Sequence, residues 1–211
     1  MTLLALSLLL MAPHPHEHQH GKHGNPEDVD SYIARMEEPG RAAWQKPDEV
    51  LKALGLAPGQ VVCDIGAGPG YFALRAARLG TQVFAVDVEP RILQALQKRI
   101  AKSGLRTVTP VLGLDDNPLI PERACDLVLV VDTYHHFPDG PAYLQRLARS
   151  LKPGGRIANI DFHKRELPVG PPVQHKVTRD DFLRDAQAAG LELDKEYDFL
   201  PYQYFLVLRP R

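Results

Sequence analysis

The sequence predicts an α/β fold, a mostly parallel sheet with helices on both faces, and three observations predict it. The stretch VVCDIGAGPGYF at 61–72 is a short apolar run that ends in Asp64 and Ile65, then passes into glycines at alternate positions before helical spacing resumes over 71–79. A second apolar run at 82–86 closes on Asp87, so a second strand follows the first after one helix. From there strand-like and helix-like segments alternate to 189, and the chain closes on two apolar runs only a few residues apart, which requires an antiparallel hairpin at the sheet's end.

The elements follow in order. Asp28 is placed to cap a helix carrying Tyr32, Ile33 and Met36, which Pro39 and Gly40 break; a short piece covers 41–45, and Pro47 opens a third helix ending at Leu54 and Gly55. The third to seventh strands are expected at 107–112, 127–131, 156–161, 191–197 and 202–208. Helices are expected at 90–102, 141–151 and 179–189, the last with Thr178 three residues before Asp181 as a capping box.

Composition bounds the rest. The 211 residues are 44% hydrophobic and 24% charged, enough for one substantial core. A net charge of −1 without a long Lys/Arg block gives no electrostatic support for nucleic acid as a partner. Cys63 and Cys125, the two cysteines, fall inside the first and fourth strands and read as buried small hydrophobes. The chain divides into an apolar leader with a His-rich tail over 1–24, a helical lid over 25–56, and the main domain over 57–211. The apolar run at 3–11 is too short to span a bilayer and has the length of a signal-peptide core, so export is the expected localisation, with no integral membrane span in the mature chain. His14, His16, His18 and His20 alternate behind it, a density of imidazole suited to transition metals or equally to a solvated linker.

The glycine pattern narrows the ligand. Gly66-Ala67-Gly68-Pro69-Gly70 is GxGxG, whereas a dinucleotide turn is GxGxxG with its third glycine packing helix on strand, and Pro69 removes an N–H that a pyrophosphate would use. A carboxylate at the second strand's tip is where a ribose is held. With VVCDIGAGPGYF at 61–72, VFAVDVEP at 83–90, CDLVLVVDTYHHFPD at 125–139 and LKPGGRIANIDF at 151–162, the chain resembles the class I S-adenosylmethionine (SAM)-dependent methyltransferases, in the type 11 group that includes the ubiquinone and menaquinone methyltransferases. The resemblance implies a Rossmann-like, seven-stranded, mostly parallel sheet with an antiparallel last strand, and SAM across the carboxyl ends of its strands. It implies cofactor contacts from Asp64, Gly66, Ala67, Gly68, Gly70, Asp87, Val88 and Asp132. Relatives place an aspartate after the glycine beyond the third strand; here Gly113 is followed by Leu114, so Asp115 or Asp116 is expected to serve the adenine, with Leu114 as an alternative apolar wall.

Chemistry is expected at the strand ends. Methyl transfer from a sulfonium needs alignment above all, and a base only where the acceptor arrives protonated. His135, His136 and Asp132 are the catalytic candidates, and Tyr32, Trp44, Tyr71, Tyr134, His163 and His175 the expected lining of the acceptor pocket. A metal centre gathered from Asp132, His135, Asp161, His163 and His175 is the less favoured reading, since no two share the local spacing of a metal motif. No large insertion between strands offers a protein or tRNA platform, which favours a small, lipophilic or quinone-like acceptor. Two other classes remain to be discriminated: a non-catalytic SAM-binding or metal-responsive module acting through the histidine tail, which would bind SAM without turnover, and an NAD-dependent oxidoreductase, which the glycine turn disfavours.

Overall fold

A computed structural model describes residues 28–211. The leader and the histidines of the tail therefore lie outside the described residues. The seven strands form one sheet in the order β3-β2-β1-β4-β5-β7-β6, with β1 (Val61–Ile65), β2 (Gln82–Asp87), β3 (Val108–Leu112), β4 (Cys125–Val131), β5 (Leu151–Phe162), β6 (Leu191–Tyr197) and β7 (Gln203–Pro210). Pairings from β3 to β5 are parallel; β7 runs antiparallel to both β5 and β6, between which it is inserted. The strand order reverses between β1 and β4, so the carboxyl ends of these two strands flank the crevice where an open sheet binds its ligand.

Helices α3 (Pro47–Leu54), α4 (Ala73–Arg78) and α5 (Pro90–Ser103) cover one face, burying Val62, Leu127, Leu129, Ile160, Phe205 and Val207 between sheet and helices. Helices α6 (Gly140–Ser150) and α7 (Arg179–Ala188) cover the other over Val128, Val130, Ile157, Leu206 and Leu208. The central strands are apolar on both sides because both faces are covered. Asp28, Glu89, Asp139 and Thr178 each cap a helix by accepting from a first-turn N–H, and Pro47, Pro90 and Pro141 stand where an N–H has no intrahelical partner. No helix among the described residues is long and apolar enough to cross a membrane.

Two findings differ from expectation. Cys63 and Cys125 are fully buried, as small hydrophobes would be, but they are joined in a disulfide that ties β1 to β4, with Cα atoms 6.0 Å apart. The helix after the glycine turn begins only at Ala73, because Gly66, Gly68 and Gly70 all have positive φ and spread the turn over several residues.

Candidate functional site

The crevice is built from the turn after β1. Asp87, at the tip of β2, accepts from the Gly68 N–H at 2.9 Å through Oδ2 and from the Glu89 N–H at 3.0 Å through Oδ1, which fixes its carboxylate beside the glycines. Burial pushes its pKa up, against the three backbone N–H groups that lower it. Asp64 lies deeper, its Oδ2 buried without a hydrogen-bond partner, and burial raises its pKa to about 7. The turn is packed too closely to carry side chains: a Cβ on Gly66 would overlap the Thr133 side chain, and one on Gly68 the methyl of Met36. The carboxylate at the tip of β2, fixed beside the glycine turn, suits a nucleoside with a ribose diol.

Val88, Leu112 and Leu114 are large apolar side chains exposed around the ends of β2 and β3. Asp115 and Asp116 are exposed at the tip of a tight turn closed by reciprocal backbone bonds between Leu114 and Asn117. Leu114 thus stands as an apolar surface at this rim, and the two aspartates stand at its outer edge.

Around the end of β4 the structure assembles a polar network. Asp132 takes a left-handed conformation, φ 53°, which turns its carboxylate back into the crevice. Gln45, fully buried in α2 (Arg41–Gln45), donates to its Oδ2 at 2.8 Å; Gln203, at the start of β7, donates to its Oδ1; and Arg41 lies 3.6 Å away. Burial raises Asp132 to about 6, with Arg41 opposing. Arg41, Gln45 and Gln203 are absent from the sequence-derived site. The signal for Gln45 was faint, a polar residue next to Trp44 in the junction Trp44-Gln45-Lys46-Pro47 between two helices.

His135 and Asp161 form a buried pair. Nδ1 of His135 lies 3.2 and 3.1 Å from the two carboxylate oxygens of Asp161, which also accepts from the Phe162 N–H at 2.8 Å. Burial pulls the imidazole pKa down, but the charge and hydrogen bond of Asp161 outweigh it and the net shift is upward. With Nδ1 donating to the carboxylate, Nε2 carries the lone pair, the arrangement of an oriented general base. His136 is exposed, its ring 4.2 Å from that of His135.

The expected pocket residues are not gathered in one place. Tyr32, on α1 (Val29–Met36), is half-buried and feels the charges of Asp87 and Asp132, which puts it over the crevice; Trp44 packs at a tilt against Phe162 at 5.6 Å and Tyr202 at 6.3 Å. Tyr134 is a correction: it is fully buried, packed edge-on against Phe182 with its hydroxyl donating to Asp185 at 2.6 Å, so it belongs to the core beneath the site. Tyr71 is likewise enclosed, with the guanidinium groups of Arg41 and Arg75 4.2 and 4.1 Å from its ring centre. His163 and His175 lie on the loop after β5. Among the described residues no group of three or more His, Cys, Asp or Glu could hold a metal ion, so Asp132, His135, Asp161, His163 and His175 do not form a metal centre.

Comparisons with known proteins bear on the family and the fold. Residues 62–155 match a family model described as a methyltransferase domain. A demethylmenaquinone methyltransferase of Tropheryma whipplei is 32% identical over 130 residues, covering 62% of this chain and 52% of the relative. A protein-L-isoaspartate O-methyltransferase of Methylorubrum extorquens is 33% identical over 161 residues, 76% of this chain and 61% of the relative. A ubiquinone biosynthesis O-methyltransferase of Xanthomonas oryzae pv. oryzae is 33% identical over 110 residues, 52% and 46%. The chain thus spans about half to three fifths of the length of these curated relatives. In fold it is similar to a SAM-dependent methyltransferase from Aquifex aeolicus, with a TM-score of 0.80 at 24% identity over 84% of this chain and 96% of that one.

Proposed function

From the premise that this chain belongs to the class I SAM-dependent methyltransferases, we propose that it moves the methyl group of SAM to a small acceptor bearing an acidic O–H or C–H, of phenol or hydroquinone type. The observation that carries the reading is the buried His135–Asp161 pair at the carboxyl ends of β4 and β5, beside the cofactor crevice. When bound, SAM would supply an electrophilic methyl on a sulfonium, open to in-line attack by an acceptor with S-adenosylhomocysteine as the leaving group. Asp87 would accept from the ribose hydroxyls, with the glycine turn beside it. Val88, Leu112 and Leu114 offer apolar surface to the adenine, with Asp115 and Asp116 at its edge. His135 takes the acceptor's proton on Nε2 as the new bond to carbon forms, and Asp161 stabilises the imidazolium. Asp132, held by Gln45, Gln203 and Arg41, positions the crevice wall next to the dyad. The names of the quinone-pathway relatives support a phenolic acceptor, since ionising a phenol is what an oriented imidazole achieves near neutral pH.

The test is calorimetric titration with SAM and S-adenosylhomocysteine, followed by transfer of labelled methyl to a panel of phenols and hydroquinones. Binding weakened about tenfold or more by Asp87→Ala, with turnover abolished by His135→Ala while SAM affinity is kept, is the expected result. Absence of SAM binding would overturn the reading. We further infer that the protein matures in an oxidising compartment; the Cys63–Cys125 disulfide supports it, since such bonds persist where thiols are not kept reduced. Mass measurement after alkylation in denaturant without reductant checks it: two alkylated thiols would count against it.

A further inference from the structure

The loop after β5 carries cations that the chain itself does not neutralise. A cavity of about 360 Å³ opens there, lined by His163, Lys164, Arg165, Thr178, Arg179 and Asp180. Of these charges Arg179 is spoken for: it donates to both oxygens of Glu196, at 2.8 and 2.6 Å, and to Asp180 at 2.8 Å, so both acids are consumed with it. Lys164 and Arg165 are exposed, and among the described residues neither side chain makes an ion pair or hydrogen bond. Glu166, the remaining carboxylate beside them, is exposed and pairs with neither.

Lys176 adds a third cation, and a costly one. Its side chain is buried, 3% exposed for the residue, yet its Nζ has only the Arg165 carbonyl at 2.8 Å and the Phe162 ring at 5.7 Å as partners. A carbonyl and a ring face leave most of an ammonium's charge uncompensated, and a buried ion without a counter-ion destabilises the fold. His163 does not add to the positive charge: burial, and then Arg165, hold its pKa below the ordinary imidazole value, so it faces the cavity side as a neutral hydrogen-bonding group.

We propose that this cavity receives the anionic group of the acceptor, a carboxylate or phosphate monoester bound by Lys164 and Arg165 with Lys176 behind them. Its role in methyl transfer rests on the function proposed above. His163, which lines the cavity, is two residues beyond Asp161, roughly 7 Å of extended backbone, so the cavity stands within the length of a small acceptor from the His135–Asp161 pair. Lysine supplies a point charge and arginine a planar fork, a combination that accepts either anion.

The test titrates the full chain, saturated with S-adenosylhomocysteine, with benzoate, phenyl phosphate and the neutral benzyl alcohol. At least one anion is expected to bind about tenfold or more tightly than the alcohol, and the ratio of benzoate to phenyl phosphate identifies which anion the site prefers. In Lys164→Gln/Arg165→Gln, two exposed positions whose replacement leaves the fold intact, the preference is expected to fall to within about twofold with S-adenosylhomocysteine affinity unchanged. Lys176→Met is expected to weaken the anion as well, by less than the double substitution, since Lys176 stands behind the lining residues. Equal binding of anion and alcohol, no binding of any of the three, or a preference that survives the double substitution would each overturn the proposal. Failure of the wild type to bind S-adenosylhomocysteine would overturn the methyltransferase reading instead, and with it the cavity's role toward an acceptor.

Discussion

His135 and Asp161 decide how the site responds to pH. Burial disfavours the imidazolium, Asp161 favours it, and the carboxylate wins, so the folded pKa lies above the ordinary value of about 6.5. The base form is thus reached only above that raised value, and kcat/KM should climb through neutral pH. The pair's contribution to stability runs the other way, complete below the unfolded imidazole value and lost as pH rises through the folded one. Asp161→Asn leaves burial as the dominant influence: the acid limb of the kcat/KM profile should move to lower pH while kcat falls by about 10- to 100-fold through lost orientation. A limb that stays in place would remove Asp161 as the partner. Asp64 provides a second test, since burial lifts its pKa from 3.8 to about 7. A raised carboxylate stabilises the fold while protonated and loses that contribution as pH rises toward 7. Asp64→Asn should flatten stability between pH 4 and 7 and gain up to about 4 kcal/mol at pH 8, as read by denaturant unfolding at both pH values. Residues of this kind were legible when a motif placed them at a strand end, as with Asp64, Asp87 and His135. Gln45 and Gln203 were not, because an uncharged amide shows its role only through the partner it meets, and Asp132 is 87 and 71 residues away from them.

Among the elements, the glycine turn and the start of α7 make the sharpest contrast. Gly68 has φ 57°, its N–H holds Asp87, and an added Cβ would meet the Met36 methyl. Gly68→Ala therefore strains the backbone and pushes the Met36 side chain aside; a loss of about 1–3 kcal/mol in stability, with SAM affinity lowered more than tenfold, is the expected outcome of calorimetry and thermal melts. Thr178→Ala removes only a cap: Thr178 Oγ1 accepts from the Asp181 N–H at 3.0 Å and donates to its carboxylate at 2.6 Å, so about 1 kcal/mol should be lost without change in SAM affinity. All seven strands and the order of the helices could be read from the chain, because apolar runs, caps and prolines are local signals. Element ends were less legible. Regular pairing of the fifth strand begins at Arg156 opposite Leu127, yet Leu151 is also drawn into β5 by pairing with Cys125, and the residues between them bulge out with Gly154 at φ 78°. That outcome depends on a neighbouring strand 26 residues away, which no local window contains.

At the scale of the whole molecule, the disulfide links the two strands from which the site is built. β1 leads into the glycine turn and β4 into Asp132 and His135, and Cys63–Cys125 joins them across 62 residues of sequence. Two cysteines inside apolar strands gave no sign of their pairing, since spacing in sequence does not report which strands become neighbours; the reversal of strand order places β4 beside β1. Closing a loop of this length removes unfolded-state freedom worth about 4 kcal/mol. A Cys63→Ala/Cys125→Ala double variant should therefore lose on the order of 10 °C in Tm at this chain length. Both sulfurs are fully buried, so a dithiol reductant cannot reach them without opening of the sheet. Under native conditions reduction should be slow and should follow the rate of opening, whereas in denaturant it should be complete within minutes; a bond reduced at equal speed in both would place the cysteines at an exposed or mobile position and contradict this packing.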